Sequence, residues 1–131
     1  MIIVGCGETG KRVVETYKGR HPIAVIDRDL EALRDFQNIP IVETILGDGS
    51  DIRALIQAGI KKCSLLFAVT GDDHVNLFTS LMSDGLFHVN RIICRLNDNS
   101  FGFLIKKENI YVFDPNESFS EIAGGFLKEC P

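Results

Sequence analysis

The sequence contains no tryptophan, only four prolines, and no apolar run near the roughly 18 residues that a bilayer-spanning helix needs. With 45% apolar residues and so little proline, it is not a disordered or low-complexity chain. The missing apolar run leaves it without a transmembrane helix of its own. Basic residues do not gather into a stripe. Lys11-Arg12, Arg20, Arg28, Lys61-Lys62 and Lys106-Lys107 are scattered and the net charge is −4, so no polyanion such as a nucleic acid is expected as partner. The four cysteines, Cys6, Cys63, Cys94 and Cys130, form no C-x-x-C pair. They read as small buried hydrophobes in a reducing, cytoplasmic compartment. The opening Met1-Ile2-Ile3-Val4-Gly5 has no basic segment and no cleavage site, so no secretory signal is expected.

What is present is an alternation. Short apolar runs at 1–4, 23–27, 41–46, 65–69, 91–96 and 110–113 read as strands. Between them lie stretches of helical period. The first runs from Gly7 to Lys18 with Val13, Val14 and Tyr17 on one face, and the second over 30–36 with Leu30, Leu33 and Phe36. The third is capped by Ser50 or Asp51, carries Ile52, Leu55 and Ile56, and stops at Gly59. The fourth follows Thr70-Gly71-Asp72-Asp73 and carries Val75, Leu77, Phe78, Leu81 and Met82. A fifth begins at Asn97-Asp98-Asn99 and extends to about Lys107, and a last one is expected over about 117–129, after the break at Asp114-Pro115. The strand runs are continuously apolar rather than alternating, as in strands buried on both faces of a parallel sheet. Right-handed crossovers then predict an α/β fold: a Rossmann-like, doubly wound sheet of six parallel strands in the order 3-2-1-4-5-6. The six units use residues 1–131 as one domain and leave none for a second.

Gly5-Cys6-Gly7-Glu8-Thr9-Gly10 matches G-x-G-x-x-G between the first strand and the first helix, the setting in which that pattern cradles a pyrophosphate. Gly5 permits the tight turn, Gly7 lets backbone approach the phosphates, and Gly10 lets the helix pack on the sheet. Unpaired N–H groups and the helix dipole favour the anion. Asp27 ends the second strand 22 residues after Gly5, where a carboxylate accepts the hydroxyls of an adenosine ribose. A 2′-phosphate would meet Asp27 as a like charge, which disfavours NADP. Arg28 either stacks on adenine or accepts such a phosphate. Glu8 sits four before Arg12, a spacing that can hold it outward.

Ligands in such sheets bind at the carboxyl ends of the strands. Asp48 and Gly49, in the Gly47-Asp48-Gly49-Ser50 turn, either flank the adenine or cap a helix. Val69 and Thr70 are placed to meet a ribose, while Asp72 and Asp73 read as helix caps. Arg95 can meet a phosphate or an interface carboxylate, and Asn97 is turn-former or ligand contact. Catalytic patterns are missing. Hydride transfer needs an acid or base beside the nicotinamide, yet Tyr17 and Tyr111 are followed four residues later by His21 and Pro115 rather than lysine. His21, His74 and His88 have no partner at metal spacing, and neither G-x-S-x-G nor a Walker G-K-[ST] occurs.

Taken together, Ile2-Ile3-Val4-Gly5-Cys6-Gly7, Val25-Ile26-Asp27-Arg28-Asp29, Gly47-Asp48-Gly49-Ser50 with Ala58-Gly59-Ile60, Ala68-Val69-Thr70-Gly71-Asp72-Asp73 with Asn76, and Arg95-Leu96-Asn97-Asp98 resemble the nucleotide-binding domains of Trk-type potassium-uptake regulators. These are the TrkA-N, KTN or RCK domains. The resemblance implies a regulator rather than an enzyme, with NAD(H), or ATP, ADP or AMP, as effector. It implies dimers, often assembled into rings, on the cytoplasmic side of a membrane potassium channel or transporter, which is a separate chain or lies beyond this sequence. Nucleotide exchange would change the hinge between domains and so gate transport. Gly5, Gly7, Gly10, Asp27, Arg28, Asp48, Thr70 and Arg95 would line the nucleotide site. The last helix, with Phe119, Ile122, Phe126 and Leu127, would be a dimer contact or would pack on its own sheet; Gly124-Gly125 within it is consistent with a bend. Many members carry a second, smaller domain after this one, whereas the sequence stops at Cys130-Pro131. Two other readings stand beside this one: a small NAD(P)-dependent oxidoreductase or a cofactor-binding fragment of one, and a dimerising module without ligand.

Overall fold

The computed structural model describes residues 1–115, so the helix expected over 117–129 lies outside the described residues. The elements run β1 (Ile2–Val4), α1 (Glu8–Tyr17), β2 (Ile23–Asp27), α2 (Leu30–Arg34), β3 (Val42–Leu46), α3 (Ile52–Gln57), β4 (Leu65–Ala68), α4 (Asp73–Gly85), β5 (Arg91–Arg95) and β6 (Ile110–Phe113). Two 3-10 turns, Ile60–Lys62 and Asn99–Ile105, complete the path. The sheet is entirely parallel in the order β3-β2-β1-β4-β5-β6. β1 is central, with Ile2 opposite Ala24 on one side and Leu66 on the other. This is the expected Rossmann-like architecture.

Successive strand residues point to opposite faces, and β1 feeds two cores. Ile3 packs with Val13 and Val14 of α1 and with Leu33 and Phe36. Ile2 and Val4 pack with Leu55 of α3 and Met82 of α4. Helices on both faces bury the cores of β1, β2, β4 and β5, which explains their lack of alternation, whereas the edge strand β3 buries only Ile45 and leaves Leu46 59% exposed.

Aspartates start most of the helical elements. The carboxylates of Asp29, Asp51, Asp72 and Asp98 accept from backbone N–H groups two residues on, satisfying donors that the helix itself leaves unpaired. Of the two candidate caps of α3, Asp51 is the one used. The segment after Asn97 differs from expectation: it is a 3-10 turn that ends at Ile105, not an α-helix to Lys107. Gly102 sits in its middle and only Ile105 is buried, so no apolar stripe holds an α-helical path there.

Helix α4 also departs from its sequence pattern. Its buried residues are Asn76, Thr79, Ser80, Met82 and Ser83, while Phe78 is 51% exposed and Leu81 39%. Small side chains let the helix lie close to β4 and β5, and Asn76 and Thr79 replace apolar contact by hydrogen bonds. In α2 and α3 likewise Leu33 and Leu55 are buried, but Leu30, Ile52 and Ile56 stay exposed. Among the described residues no helix is long and apolar enough to cross a membrane.

Candidate functional site

The carboxyl ends of β1 to β5 open onto one cavity of about 560 Å³. That size lies within the range of small-molecule and cofactor pockets. Strand order puts the β1–α1 loop in the middle, the β2 and β3 ends on one side, and the β4 and β5 ends on the other. Residues 22, 43, 65 and 90 positions after Gly5 in the chain, namely Asp27, Asp48, Thr70 and Arg95, therefore share one lining with it.

The glycine-rich loop is built by close approach. Gly5 has φ +111° in the left-handed region that favours glycine, and a Cβ there would stand 2.8 Å from the Thr70 nitrogen. A Cβ on Gly10 would stand 2.1 Å from the Gly5 carbonyl oxygen, so Gly10 lets α1 press against its own entry loop. Gly7 is the opposite case: it lines the cavity, and a Cβ there would meet nothing within 4 Å. Gly7 is also the N-cap of α1, and no side chain caps that helix. The first-turn N–H groups, which have no acceptor within the helix, thus begin at the cavity beside a residue without a side chain.

Asp27 does more than the sequence suggests. One carboxylate oxygen accepts from the Cys6 N–H at 2.7 Å and the other from the Asp29 N–H at 2.8 Å. The residue thus ties the loop after β1 to the turn after β2. Each oxygen retains a second lone pair. Arg28 is exposed on the same wall. On the β3 side, hydrogen bonds from the Ser50 hydroxyl and N–H to Asp48, at 2.7 and 2.8 Å, hold its carboxyl below the usual range, with a smaller contribution from the Arg28 charge. Asp48 is thus an anion that organises its own turn on the wall it shares with the Arg28 cation.

Cys6 is buried, and its thiol is pushed up to about 12, first by burial and then by the Asp27 carboxylate. The thiolate is the reactive form, so Cys6 is expected to stay unlabelled when the native protein is treated with a small alkylating reagent at pH 8. Peptide mass spectrometry would show this. Labelling of Cys6 at the rate of a free thiol would overturn the assignment. Cys94 is likewise buried and pushed up to about 11, chiefly by burial.

On the far side Val69, Thr70 and Arg95 line the cavity with Gly71, Asp72 and Val75. The Nε of Arg95 is buried and has no hydrogen-bond partner among the described residues, while one terminal nitrogen reaches Asn97 Oδ1 at 3.4 Å. Arg95 is half-buried at this wall, and its positive charge suits an anionic ligand in the cavity.

Of the residues singled out from sequence, Gly5, Cys6, Gly7, Asp27, Arg28, Asp48, Gly49, Val69, Thr70 and Arg95 share the cavity. Glu8, Thr9 and Gly10 do not line it. Glu8 is exposed and pairs with Arg12 at 3.2 Å, the outward position that its spacing allows, and Gly10 is buried beneath Gly5. Asp72 caps α4 as expected, but Asp73 does not. Its carboxylate accepts from the N–H groups of Asn97 and Asp98, each at 2.8 Å, across the gap to the β5 loop. Asn97 is correspondingly a tether and is absent from the cavity wall. Ile26, Asp29, Ala32 and Gly47 also line the cavity and were not singled out. Ile26, Asp29 and Gly47 stand in the motif segments around Asp27 and Asp48, a sequence signal that Ala32 lacks.

The TrkA-N domain model matches residues 1–115. The Trk system potassium uptake protein TrkA of Mycobacterium tuberculosis is 33% identical over 97 residues, which cover 73% of this chain and 44% of that protein. The chain thus spans less than half the length of that relative. Among solved structures, the RCK domain of GsuK is 26% identical with a TM-score of 0.66, covering 85% of this chain and 24% of that one. The GsuK channel bound to NAD is 16% identical over the matched region, with a TM-score of 0.70 and coverages of 96% and 22%. The Shewanella denitrificans Kef CTD in its AMP-bound form is 19% identical, with a TM-score of 0.68 and coverages of 94% and 74%. The last two likenesses, at such identities, speak for the fold. The match over 1–115 goes further: this chain belongs to the TrkA-N domain family.

Proposed function

We propose that this chain is a regulatory domain that binds an adenine nucleotide in the strand-end cavity and thereby controls a membrane potassium channel or transporter. NAD(H) is the favoured effector and ATP, ADP or AMP the alternatives. The observation that carries this reading is one cavity that unites an uncapped, glycine-edged helix start with Asp27 on one side and the Arg95 cation on the other. The helix start suits phosphates, Asp27 a ribose diol, and Arg95 a second polar group beyond them. Relatives support the transport context, since the similar M. tuberculosis protein is a potassium uptake protein. NAD in one structural neighbour and AMP in another support the choice of ligand class. Glu8, Thr9 and Gly10 belong to the site through the backbone and packing of the loop rather than through their side chains. In this reading the chain acts as a dimer or larger ring at the cytoplasmic face of its transport partner. Regulation then requires that the nucleotide bind two states of the assembly with different affinity.

Titration calorimetry of the chain against NAD, NADH, NADPH, ATP, ADP and AMP tests it. Saturable binding with preference among them is expected, with NADPH weakest because its 2′-phosphate meets Asp27. No binding by any of the six would overturn the proposal.

A further inference from the structure

The wall formed by β4 and β5 is held from behind by one residue of α4 that does not itself line the cavity. Asn76 is fully buried. Its Oδ1 accepts from the Thr70 N–H at 2.9 Å and from the Thr70 hydroxyl at 2.7 Å. Its Nδ2 donates to the Thr70 carbonyl and to the Arg95 carbonyl, both at 2.9 Å. An asparagine amide has two acceptor sites and two donors, and all four are used. The partners also fix the amide orientation, because two donors face Oδ1 and two carbonyls face Nδ2. No other side chain supplies this set at this length: aspartate has no donors, and glutamine is longer by a methylene.

The two residues so clamped, Thr70 and Arg95, are polar groups of the half of the cavity away from Asp27, Arg28 and Asp48. We propose that Asn76 is a positioning residue that sets this half, and so determines affinity for dinucleotides, which extend past the glycine-rich loop, more than for mononucleotides, which do not. The inference rests on the nucleotide reading above. With the amide in place, the carbonyls of Thr70 and Arg95 are fixed, and with them the Thr70 backbone and the root of the Arg95 side chain. Without it, two half-buried carbonyls lose a donor and the strand ends separate or turn. The β2 and β3 ends are held by Asp27 and Ser50, and by Thr79 donating to the Gly49 carbonyl, with no hydrogen bond to Asn76 among the described residues.

The test compares NAD with AMP by calorimetry on wild-type protein and on Asn76→Asp and Asn76→Ser, with melting curves to confirm folding. Asn76→Asp keeps the shape and the acceptor but loses both donors; Asn76→Ser is smaller and leaves room for water, should the buried charge of the first prevent folding. The expected result is a loss of NAD affinity of about tenfold or more in the folded variant, with AMP affinity within about threefold of wild type. A residue that merely supports the fold would weaken both ligands by the same factor, and that outcome overturns the proposal. Unchanged affinity for both, or failure of both variants to fold, overturns it as well. Wild-type protein that takes AMP but not NAD overturns it while leaving the mononucleotide reading intact. Wild-type protein that binds neither overturns the nucleotide reading itself.

Discussion

Replacing Asp27 by alanine should erase the distinction between AMP and 2′-deoxy-AMP. In the wild-type protein the carboxylate has a lone pair free on each oxygen after its bonds to the Cys6 and Asp29 N–H groups. A ribose hydroxyl that donates to it makes a hydrogen bond to a charged group, worth about 1.5–3 kcal/mol. That predicts a preference for the ribonucleotide of about ten- to a hundredfold. The raw affinity of the Asp27→Ala variant is harder to read. The change also leaves the Cys6 N–H without its acceptor, and an unsatisfied buried donor costs about 1–3 kcal/mol. The loop should loosen, the protein should melt a few degrees lower, and every phosphate-bearing ligand should bind less well. The ratio between the two nucleotides cancels that shared loss, because the pair of ligands and the pair of proteins form a double-mutant cycle. If the variant still preferred AMP by the wild-type factor, Asp27 would not be the ribose acceptor, whatever the fall in affinity. If the wild type showed no preference, the assignment would fail at once.

The double duty of Asp27 marks the boundary of what the sequence makes legible. The sheet order follows from six apolar runs separated by helical stretches, because both the burial of parallel strands and the hand of the crossovers are strong constraints. The cavity follows too, since a glycine loop after the first strand and a carboxylate at the end of the second can only meet at one place in such a sheet. What does not follow is anything that depends on pairing across long stretches of chain. Asp73 looks like a helix cap because it stands at a helix start, yet it serves Asn97, 24 residues on. Asn76 looks like one of several polar positions on α4, beside Thr79, Ser80 and Ser83. Only the folded chain shows that the position faces two strand ends and that Phe78 faces outward instead. Helical period picks out Val75, Leu77, Phe78, Leu81 and Met82 on α4, of which Met82 is buried while Phe78 and Leu81 face outward, because period counts apolar side chains and is blind to a face held by hydrogen bonds. The 3-10 turn at Asn99–Ile105 was missed for a related reason: the sequence supplies apolar residues there, but the sheet gives them little to pack on.

The last two glycines of the loop, Gly7 and Gly10, separate ligand binding from folding, and their variants should behave in opposite ways. At Gly7 the backbone is at φ −70° and ψ −165°, extended geometry that any residue adopts, and a Cβ meets nothing within 4 Å. Gly7→Val should therefore fold, with a melting temperature within a few degrees of wild type, since the position contributes only the modest N-cap preference of glycine over an aliphatic residue. Its branched side chain would stand where the loop faces the cavity, in the space that phosphates need to reach the helix start. Nucleotide binding should be lost, or weakened at least a hundredfold, because several backbone hydrogen bonds to the anion go together. At Gly10 the methyl of Gly10→Ala falls 2.1 Å from the Gly5 oxygen and 3.1 Å from its carbon. Both are backbone atoms, so the helix or the loop must move. Overpacking of this kind costs about 1–3 kcal/mol, and the melting temperature should fall by several degrees before any ligand is added. Melting curves with and without saturating NAD distinguish the two. Gly7→Val should melt like the free wild type and gain nothing from NAD, whereas Gly10→Ala should melt low and recover part of the loss. A Gly7→Val protein that binds with wild-type affinity would mean that the phosphates do not approach through this loop, and the cavity would have to take its ligand in another orientation.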